Sequence, residues 1–196
     1  MIPALAIAAA GGYLLGSIPF GLLLTRMAGL GDVRTIGSGS IGATNVLRTG
    51  RKDIAALTVL LDAAKGTLPV VLATIWFGPL AGMVAGVFAV LGHCTCPWLG
   101  FRGGKGVATG LGVIIGWSWL IALACAATWL AVAVLSRRSS AAALVASIAA
   151  PILFLAFGDR DTALAALVVS IIIVVRHHAN IGRLLAGTEP KIGAGK

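Results

Sequence analysis

Composition places the chain in a membrane. Of its 196 residues, 59% are apolar and 11% are charged, and the mean hydropathy is +1.03. A soluble globule of this size cannot bury so much apolar surface, so we predict an all-α integral membrane protein. The formal charge of +9 is explained most simply by cations in cytoplasmic loops, so no nucleic-acid partner is expected. The three cysteines form no CxxC pair, which supports neither a disulfide framework nor a zinc site.

Six apolar stretches follow one another along the chain. They cover residues 2–27, 54–76, 80 to about 94, 107–135, 141–157 and 162–175. A helix needs roughly 20 residues to cross a bilayer, and fewer where the bilayer thins. The first stretch lacks a basic start and a small-residue cleavage site, so we expect a retained helix with its N-terminus outside.

The fourth stretch is long for one span and short for two. Two short helices that turn near Trp117 and Trp119 give seven spans and place nearly all loop cations on one side, as the positive-inside rule favours. Only Arg160 then falls opposite, with Lys65 inside a helix. The cations on the shared side are Arg26, Arg34, Arg48, Arg51, Lys52, Arg102, Lys105, Arg137, Arg138, Arg176, Arg183, Lys191 and Lys196. We therefore predict one domain, residues 1–196, of seven transmembrane helices, some short and Gly-rich, with a cytoplasmic C-terminus.

Three polar islands interrupt this apolar chain, and the seven-span topology puts all of them at the cytoplasmic face. The first island is residues 37–48, the second is 101–106 and the third is 176–180. Glycine, hydroxyl and cationic groups together are what a phosphate site needs. The islands therefore predict a site for an anionic, phosphate-bearing substrate.

In the first island, glycines at positions 37, 39 and 42 permit tight turns with exposed amides. Arg48 adds a planar fork suited to phosphate. The neutral hydrogen-bonding side chains are Ser38, Ser40, Thr44 and Asn45. We interpret the segment as an anion site; the alternative is a flexible Gly/Ser-rich loop without a ligand.

The second island is not a nucleotide P-loop, because that motif needs Gly and then Ser or Thr where this chain has Leu99 and Gly106. An ATPase is not supported. The free amides and the positive end of the helix that begins at Val107 should point at the loop, where Lys105 can reach a phosphate. The loop consists of Arg102, Gly103, Gly104, Lys105 and Gly106. The alternative is a helix cap carrying positive-inside charges.

In the third island, His177 and Asn180 would share one face if the last helix continues past Arg176. A metal site would need further ligands, and the cytoplasmic carboxylates are scattered, so we predict neither a metal nor a cofactor. These carboxylates are Asp32, Asp53 and Glu189.

Two further pairs of polar residues have simpler expected roles. Ser139 and Ser140 open a helix, and we expect them to cap it. Asp62 and Lys65, at an i, i+3 spacing within a helix, should neutralise each other, although buried charge in a membrane is a functional candidate by default.

The order and spelling of these segments resemble the bacterial acyl-phosphate-dependent glycerol-3-phosphate acyltransferases over nearly the whole chain. The matching runs are residues 37–50, 61–66, 92–93 with Pro97, 101–109 and 176–189. The resemblance implies an enzyme of the bacterial inner membrane that moves a fatty acyl group from acyl phosphate to the 1-hydroxyl of glycerol 3-phosphate. Lysophosphatidic acid and phosphate would be its products, and membrane lipid its surroundings; no oligomeric state is implied.

By position, the resemblance assigns phosphate binding and catalysis to Ser38, Arg48, Lys105, His177 and Asn180, with Ser140 as a further binding residue. The chain departs from the family's usual residues at Ser40, Cys96 and Arg102, where Asn, an aromatic residue and Lys are more common.

The identity of the general base is left open by the sequence. Other glycerolipid acyltransferases use a His-x4-Asp pair, which no histidine here can form. His177 could accept the hydroxyl proton, or a substrate phosphate could do so while His177 and Asn180 hold it. A carrier for an organic phosphate and a purely structural membrane protein are the rival interpretations. The first finds few polar groups in the outer loops beyond Arg160, and the second leaves the islands unexplained.

Overall fold

The computed structural model describes residues 1–193, and every regular element in that range is a helix. The predicted cytoplasmic cation Lys196 lies outside the described residues. The α-helices are α1 (Ile2–Gly16), α2 (Phe20–Met27), α3 (Ala43–Val46), α4 (Lys52–Phe77), α5 (Pro79–Cys94), α6 (Val107–Trp117), α7 (Trp119–Ser136), α8 (Ser139–Phe157), α9 (Arg160–Arg176) and α10 (His178–Leu185). Short 3-10 turns lie at Val33–Thr35, Leu47–Thr49 and Pro97–Leu99. The predicted all-helical class is confirmed.

Five segments of the described chain are long and apolar enough to cross a membrane. They are Ile2–Met27, Lys52–Phe77, Pro79–Leu99, Trp119–Ser136 and Ser139–Phe157. A sixth results if α9 and α10, which meet at a bend of 64°, form one broken span. Helix α6 has 11 residues and is therefore only about 16 Å long, against roughly 30 Å of hydrocarbon. A count of seven depends on this short helix and stays a prediction.

The stretch from 107 to 135 folds as two helices, and the break lies at Ser118, between the two tryptophans where the turn was predicted. Ser118 is extended (φ −160°, ψ 110°), and its Oγ accepts the amide of Ile121 at 3.4 Å. A side chain that satisfies a first-turn amide from an extended N-cap starts a new helix. The split therefore has a local cause in the sequence.

The first apolar stretch is interrupted, which the prediction of one continuous helix missed. Helix α1 ends at Gly16 and α2 begins at Phe20, after Pro19, whose ring leaves no amide to donate into a helix. The carbonyl oxygen of Ile18 in this break accepts a hydrogen bond from Lys65 Nζ at 2.7 Å. The carbonyl exposed by this break is thus a hydrogen-bond partner for the buried amine of Lys65 on α4.

Glycines let the central helices approach one another at the level of the backbone. A Cβ at Gly112 on α6 would clash with the carbonyl of Ala63 on α4, and one at Gly66 with the carbonyl of Thr109. Close approach through small residues is how helices associate in lipid, where apolar burial supplies little drive. Gly106, by contrast, lies before α6 at φ +85°.

The outside of the bundle is covered with large apolar side chains. Leu135 is 85% exposed, Phe157 79% and Trp119 64%. Such a surface is stable against lipid and not against water. The exposed side chains therefore agree with the composition in placing these helices in a membrane.

Candidate active site

The first island is a turn built around the side chain of Asn45. Its Nδ2 donates to the carbonyls of Val33 (2.7 Å), Ser40 (2.9 Å) and Ile36 (3.1 Å). Its Oδ1 accepts the amide of Ser38 at 3.1 Å. Asn45 is only 2% exposed, so its hydrogen bonds give the island a fixed shape.

Arg48 lies across Gly37 in this turn. Gly37 has φ +53°, and a Cβ there would strike the Arg48 guanidinium and Asn45 Oδ1. Glycine is therefore required both by the left-handed backbone and by the space. Arg48 Nη1 donates to Asn45 Oδ1 at 3.4 Å. Arg48, Ser38 and Thr44 are themselves exposed, which leaves the polar side of the island open to a ligand.

The second island is fastened to the ends of two helices. The amides of Gly103 and Gly104 donate to the carbonyls of Cys94 (3.2 Å) and His93 (3.0 Å) at the end of α5. The side chain of Arg176, at the end of α9, donates to the carbonyls of Gly104 (3.2 Å) and Gly103 (3.3 Å). The loop is thus held from both sides, and these bonds join the second island to the third.

Lys105 projects from this fixed loop just before α6, whose N-cap Gly106 supplies no side chain to cover the first-turn amides. Burial lowers the pKa of Lys105; Glu189 opposes that change, and repulsion from Arg183, Arg48 and Arg176 adds to it. Lys105 therefore lies in the electrostatic field of residues from both other islands. The Arg176 bonds give the geometric link between the second and third islands.

The side chain of Arg102 does not take part in this arrangement. It is exposed, and the residue's hydrogen bond is made by its backbone amide, to the carbonyl of Leu99 at 3.3 Å. Of the residues proposed from the second island, Arg102 is the one that the structure leaves at the surface.

The last helix does not continue unbroken through the third island, although the shared face expected for His177 and Asn180 depended on that. Helix α9 ends at Arg176, and α10 starts at His178 after the 64° bend. His177 occupies the junction and Asn180 the first turn of α10, and both are buried, at 2% and 5% exposure. The bend turns both side chains inward without the regular i, i+3 face.

His177 is held in one tautomer by its backbone contact. Its Nδ1 lies 2.8 Å from the carbonyl oxygen of Ile173. Because a carbonyl only accepts, Nδ1 of the neutral ring carries the proton and Nε2 keeps its lone pair. Burial lowers the pKa of His177, although the bond to Ile173 opposes this, so the neutral ring is favoured. A neutral imidazole with a free Nε2 is what a general base needs.

Glu189 links the later parts of the site. Its Oε1 accepts from Ser140 Oγ (2.7 Å) and Asn180 Nδ2 (2.6 Å), and its Oε2 accepts from Arg183 Nε (2.7 Å). Its backbone carbonyl accepts from Arg138 Nε at 3.3 Å. One carboxylate therefore fastens the start of α8, α10 and the C-terminal segment together. Burial raises the pKa of Glu189, but these hydrogen bonds outweigh it and the net pKa is lowered.

The serines at the start of α8 do not cap it, so the expected capping role is wrong. The N-cap is Arg138, without a side-chain cap. Ser139 Oγ instead lies 3.3 Å from Thr44 Oγ1 of the first island, and Ser140 donates to Glu189. Both serines make contacts between segments that are distant in the sequence.

Sequence reasoning gave no role in the site to Glu189 or Arg183, and none of its own to Arg176, although Arg176 opens the third island. Glu189 had been interpreted as one of three scattered carboxylates, and both arginines as positive-inside charges. A partial signal existed for Arg183 and Glu189, since Gly187 between them (φ +70°) turns the chain back. Asp62 and Lys65 pair at 2.7 Å as predicted. No group of three or more potential ligand residues with metal-site geometry occurs among residues 1–193.

Comparison with known proteins decides the family. The sequence profile described as Glycerol-3-phosphate acyltransferase matches residues 6–187. The chain belongs to the glycerol-3-phosphate acyltransferase family. It is 58% identical over 189 residues to the glycerol-3-phosphate acyltransferase of Maricaulis maris (96% of this chain, 88% of that protein). Identity to that of Mesorhizobium japonicum is 61% over 183 residues (93% of each chain).

Two solved structures of the family resemble the whole fold. Both are of PlsY, an integral membrane glycerol 3-phosphate acyltransferase. The glycerol 3-phosphate form has a TM-score of 0.90 at 38% identity, over 95% of this chain and 94% of that one. The lysophosphatidic acid form has a TM-score of 0.88 at 37% identity over the same shares. The resemblance drawn from the residues is therefore confirmed at the level of family and fold.

Proposed function

We propose that the protein transfers a fatty acyl group from acyl phosphate to the 1-hydroxyl of glycerol 3-phosphate, giving lysophosphatidic acid and inorganic phosphate. The observation that carries this proposal is the fastening of the second island to the third, in which Arg176 donates to the carbonyls of Gly104 and Gly103 directly before Lys105. The charges of Arg48, Arg176 and Arg183 also act on Lys105, and such a concentration of cations suits two substrates that both bear phosphate.

Acyl phosphate suits such a site because it is a mixed anhydride with a good leaving group. The oxygen of the 1-hydroxyl attacks the acyl carbonyl carbon and forms the ester bond, while the bond between that carbon and the phosphate oxygen breaks. Phosphate leaves with the electron pair, and the hydroxyl proton passes to a base. The protein has mainly to orient the hydroxyl, stabilise the carbonyl oxyanion and hold the departing phosphate.

Phosphate binding is assigned to Ser38, Arg48 and Lys105, together with the first-turn amides of α6. Ser38 and Arg48 are exposed on a turn of fixed shape, and Lys105 extends from a fastened loop. Ser40 Oγ accepts the amide of Gly42 at 3.3 Å, so Ser40 shapes the turn as Asn45 does. Thr44 is left as a hydroxyl at the edge of this site.

Proton handling is assigned to the third island. His177 offers the unprotonated Nε2, either to the 1-hydroxyl or to a phosphate that itself takes the proton. Asn180 is fixed through its Nδ2 by Glu189, which leaves its Oδ1 as an acceptor for a substrate hydroxyl. Ser140 donates to the same carboxylate oxygen and would support Asn180 through it.

The donor is tested by supplying the purified protein with palmitoyl phosphate, palmitoyl-CoA or palmitoyl acyl carrier protein, each with labelled glycerol 3-phosphate. Lysophosphatidic acid formed from palmitoyl phosphate alone is the expected result. Product from palmitoyl-CoA instead would refute the acyl-phosphate donor.

A matched pair of variants tests the assignment of Arg48. Arg48→Ala should lower kcat/KM, whereas Arg51→Ala should retain it, because Arg51 is paired with Asp53 at 2.6 Å on the surface. Equal losses in the two variants would mean that Arg48 contributes only general surface charge.

The same proposal includes seven crossings of the bacterial inner membrane, with the N-terminus outside and the islands at the cytoplasmic face. The positive-inside distribution and the separate helix α6 support it. Labelling of Ser40→Cys and Thr188→Cys, in a protein without the native cysteines, should occur only from the cytoplasmic side. Labelling of either site from outside would overturn the topology.

A further inference from the structure

A buried polar triad lies next to the second island and has no place in the chemistry described so far. It consists of Asp62 and Lys65 on α4 and His93 on α5, which are 2%, 4% and 3% exposed. The Lys65 amine is 2.7 Å from Asp62 Oδ1, and His93 Nδ1 is 3.8 Å from the same oxygen. Ionisable groups inside a membrane protein are costly and usually functional. Mutual neutralisation accounts for the Asp62–Lys65 pair and leaves His93 without a role.

The imidazole of His93 packs directly on Gly104. A Cβ added to Gly104 would clash with Nε2 of His93, and its next nearest atoms are Cε1 and Cδ2 of the same ring. Gly104 does not have the left-handed φ of its neighbour Gly106. The need for glycine at position 104 therefore comes from the ring of His93 and not from the backbone.

Gly103 provides an internal comparison. A Cβ there would meet the carbonyl oxygen of His93 and the backbone of Cys94, which no side-chain change can move. Both adjacent positions therefore require glycine because they pack on the same turn of α5, but the atoms that exclude a Cβ differ. One faces a side chain that can be removed, and the other faces fixed backbone.

The triad is fastened on its far side as well. Lys65 Nζ donates to the carbonyl of Ile18 at 2.7 Å and lies 5.7 Å from the centre of the Phe20 ring. Direct contacts therefore run from the break between α1 and α2 through Lys65 to Asp62. Asp62 Oδ1 then lies 3.8 Å from His93 Nδ1, which is longer than a hydrogen bond, and the His93 ring packs on Gly104. Lys105 is the next residue in the chain.

We infer that His93 is a positioning residue for the acyl transfer: its imidazole, backed by Asp62 and Lys65, supports Gly104 and so sets where the Lys105 amine meets substrate phosphate. The inference rests on the proposed function, in which Lys105 holds phosphate. His93 touches the loop and not the substrate. Loss of the ring lets the loop sink toward α5, and a displacement near 1 Å can cost up to about 100-fold in rate.

The test is a double-mutant cycle between His93→Ala and Gly104→Ala, with KM for each substrate, kcat and thermal stability measured in detergent. Each single variant should raise KM for a phosphate-bearing substrate. The double variant should be no worse than the poorer single variant, because the new methyl group fills the space left by the ring. Multiplying defects would overturn the inference.

The control cycle pairs His93→Ala with Gly103→Ala. Here the defects should multiply, since the methyl group at position 103 meets backbone that His93→Ala leaves in place. Rescue in both cycles would point to general loosening and would overturn a specific contact with Gly104. His93→Gln provides a second variant if His93→Ala does not fold, and it should support Gly104 partially, with a smaller change in KM. A change in thermal stability with both KM values unchanged would reduce His93 to a packing residue.

A wrong proposed function would give a different experimental result from a wrong inference about His93. In that case the wild-type protein makes no lysophosphatidic acid from palmitoyl phosphate. Failure of the inference leaves an active wild-type protein whose His93 and Gly104 defects multiply.

Discussion

Replacement of Glu189 by Gln should loosen the later half of the site. The carboxylate accepts bonds of 2.6 to 2.7 Å from Ser140, Asn180 and Arg183, and its side chain is only 7% exposed. An amide keeps one acceptor oxygen and turns an NH2 group toward one of these donors. A hydrogen bond to a charged group contributes about 1.5–3 kcal/mol. Because Arg183 is 39% exposed and solvent screens its share, we expect a loss of about 2 kcal/mol for Glu189→Gln.

The assay is the free energy of unfolding in mixed detergent micelles, measured beside activity. Asp53→Asn is the matched control, because Asp53 also pairs with an arginine but is 63% exposed. Its substitution should leave stability nearly unchanged, because solvent screens an exposed pair. Equal effects of the two substitutions would refute the reasoning that burial makes Glu189 the stronger link.

The pH dependence gives a second check on Glu189. Its folded-state pKa is lowered by its hydrogen bonds despite burial. Its contribution to stability is therefore full above the ordinary glutamate pKa and is lost as the pH falls through the lower folded value. Glu189→Gln should remove this part of the acid dependence; an unchanged acid profile would contradict the assignment.

Three further changes test separate parts of the structure. Gly112→Ala should destabilise the bundle by about 1–3 kcal/mol through its clash with α4. Gly11→Ala, with no atom within 4 Å of the new methyl group, should be neutral or slightly stabilising. Thermal unfolding compares the two variants, and equal losses of stability would contradict the packing account. Asn45→Ala should abolish most activity while the helical circular dichroism is kept, since the side chain shapes a loop and not the bundle; near-normal activity would exclude that role. The pKa of His177 is lowered, so if it is the base, kcat/KM should be flat at neutral pH and fall only as the pH drops through that lowered pKa. A fall near pH 6 that persists in His177→Asn would instead identify substrate phosphate, whose second pKa is about 6, as the base.

Local features of the structure could be predicted from the sequence because their causes are local. The break near Trp117 and Trp119 was predicted from the loop charges, and its cause at Ser118 is local; the Asp62–Lys65 pair was predicted from an i, i+3 spacing. Convergence of the islands was also predictable, since charge bias limits which loops share a side of the membrane. Each of these inferences needed only neighbouring residues or the topology.

Other features depend on contacts between distant residues, and no periodicity encodes them. Glu189 meets Ser140 across 49 positions of sequence, and Arg176 reaches Gly104 across 72. In the sequence alone, nothing distinguishes the buried carboxylate of Glu189 from the exposed one of Asp53. Only the folded bundle, in which α10 bends back at His177, distinguishes a central carboxylate from a surface one.

The charge balance of the site explains why a single buried carboxylate is compatible with phosphate chemistry. Lys105 is influenced by Arg48, Arg176 and Arg183, and Glu189 is the carboxylate that opposes them. Among the charges that act on Lys105 the cations outnumber the carboxylate, which is unfavourable at a partly buried site in the empty protein. The side-chain hydrogen bonds of Glu189 come from Asn180, Ser140 and Arg183 and hold the geometry of the site, whereas its effect on Lys105 is electrostatic. A second carboxylate acting as base would cancel part of the attraction for phosphate, whereas a neutral imidazole at His177 accepts a proton without doing so. The same positive charge therefore favours a neutral imidazole over a second carboxylate as base, and the pH profile of His177→Asn decides between that imidazole and substrate phosphate.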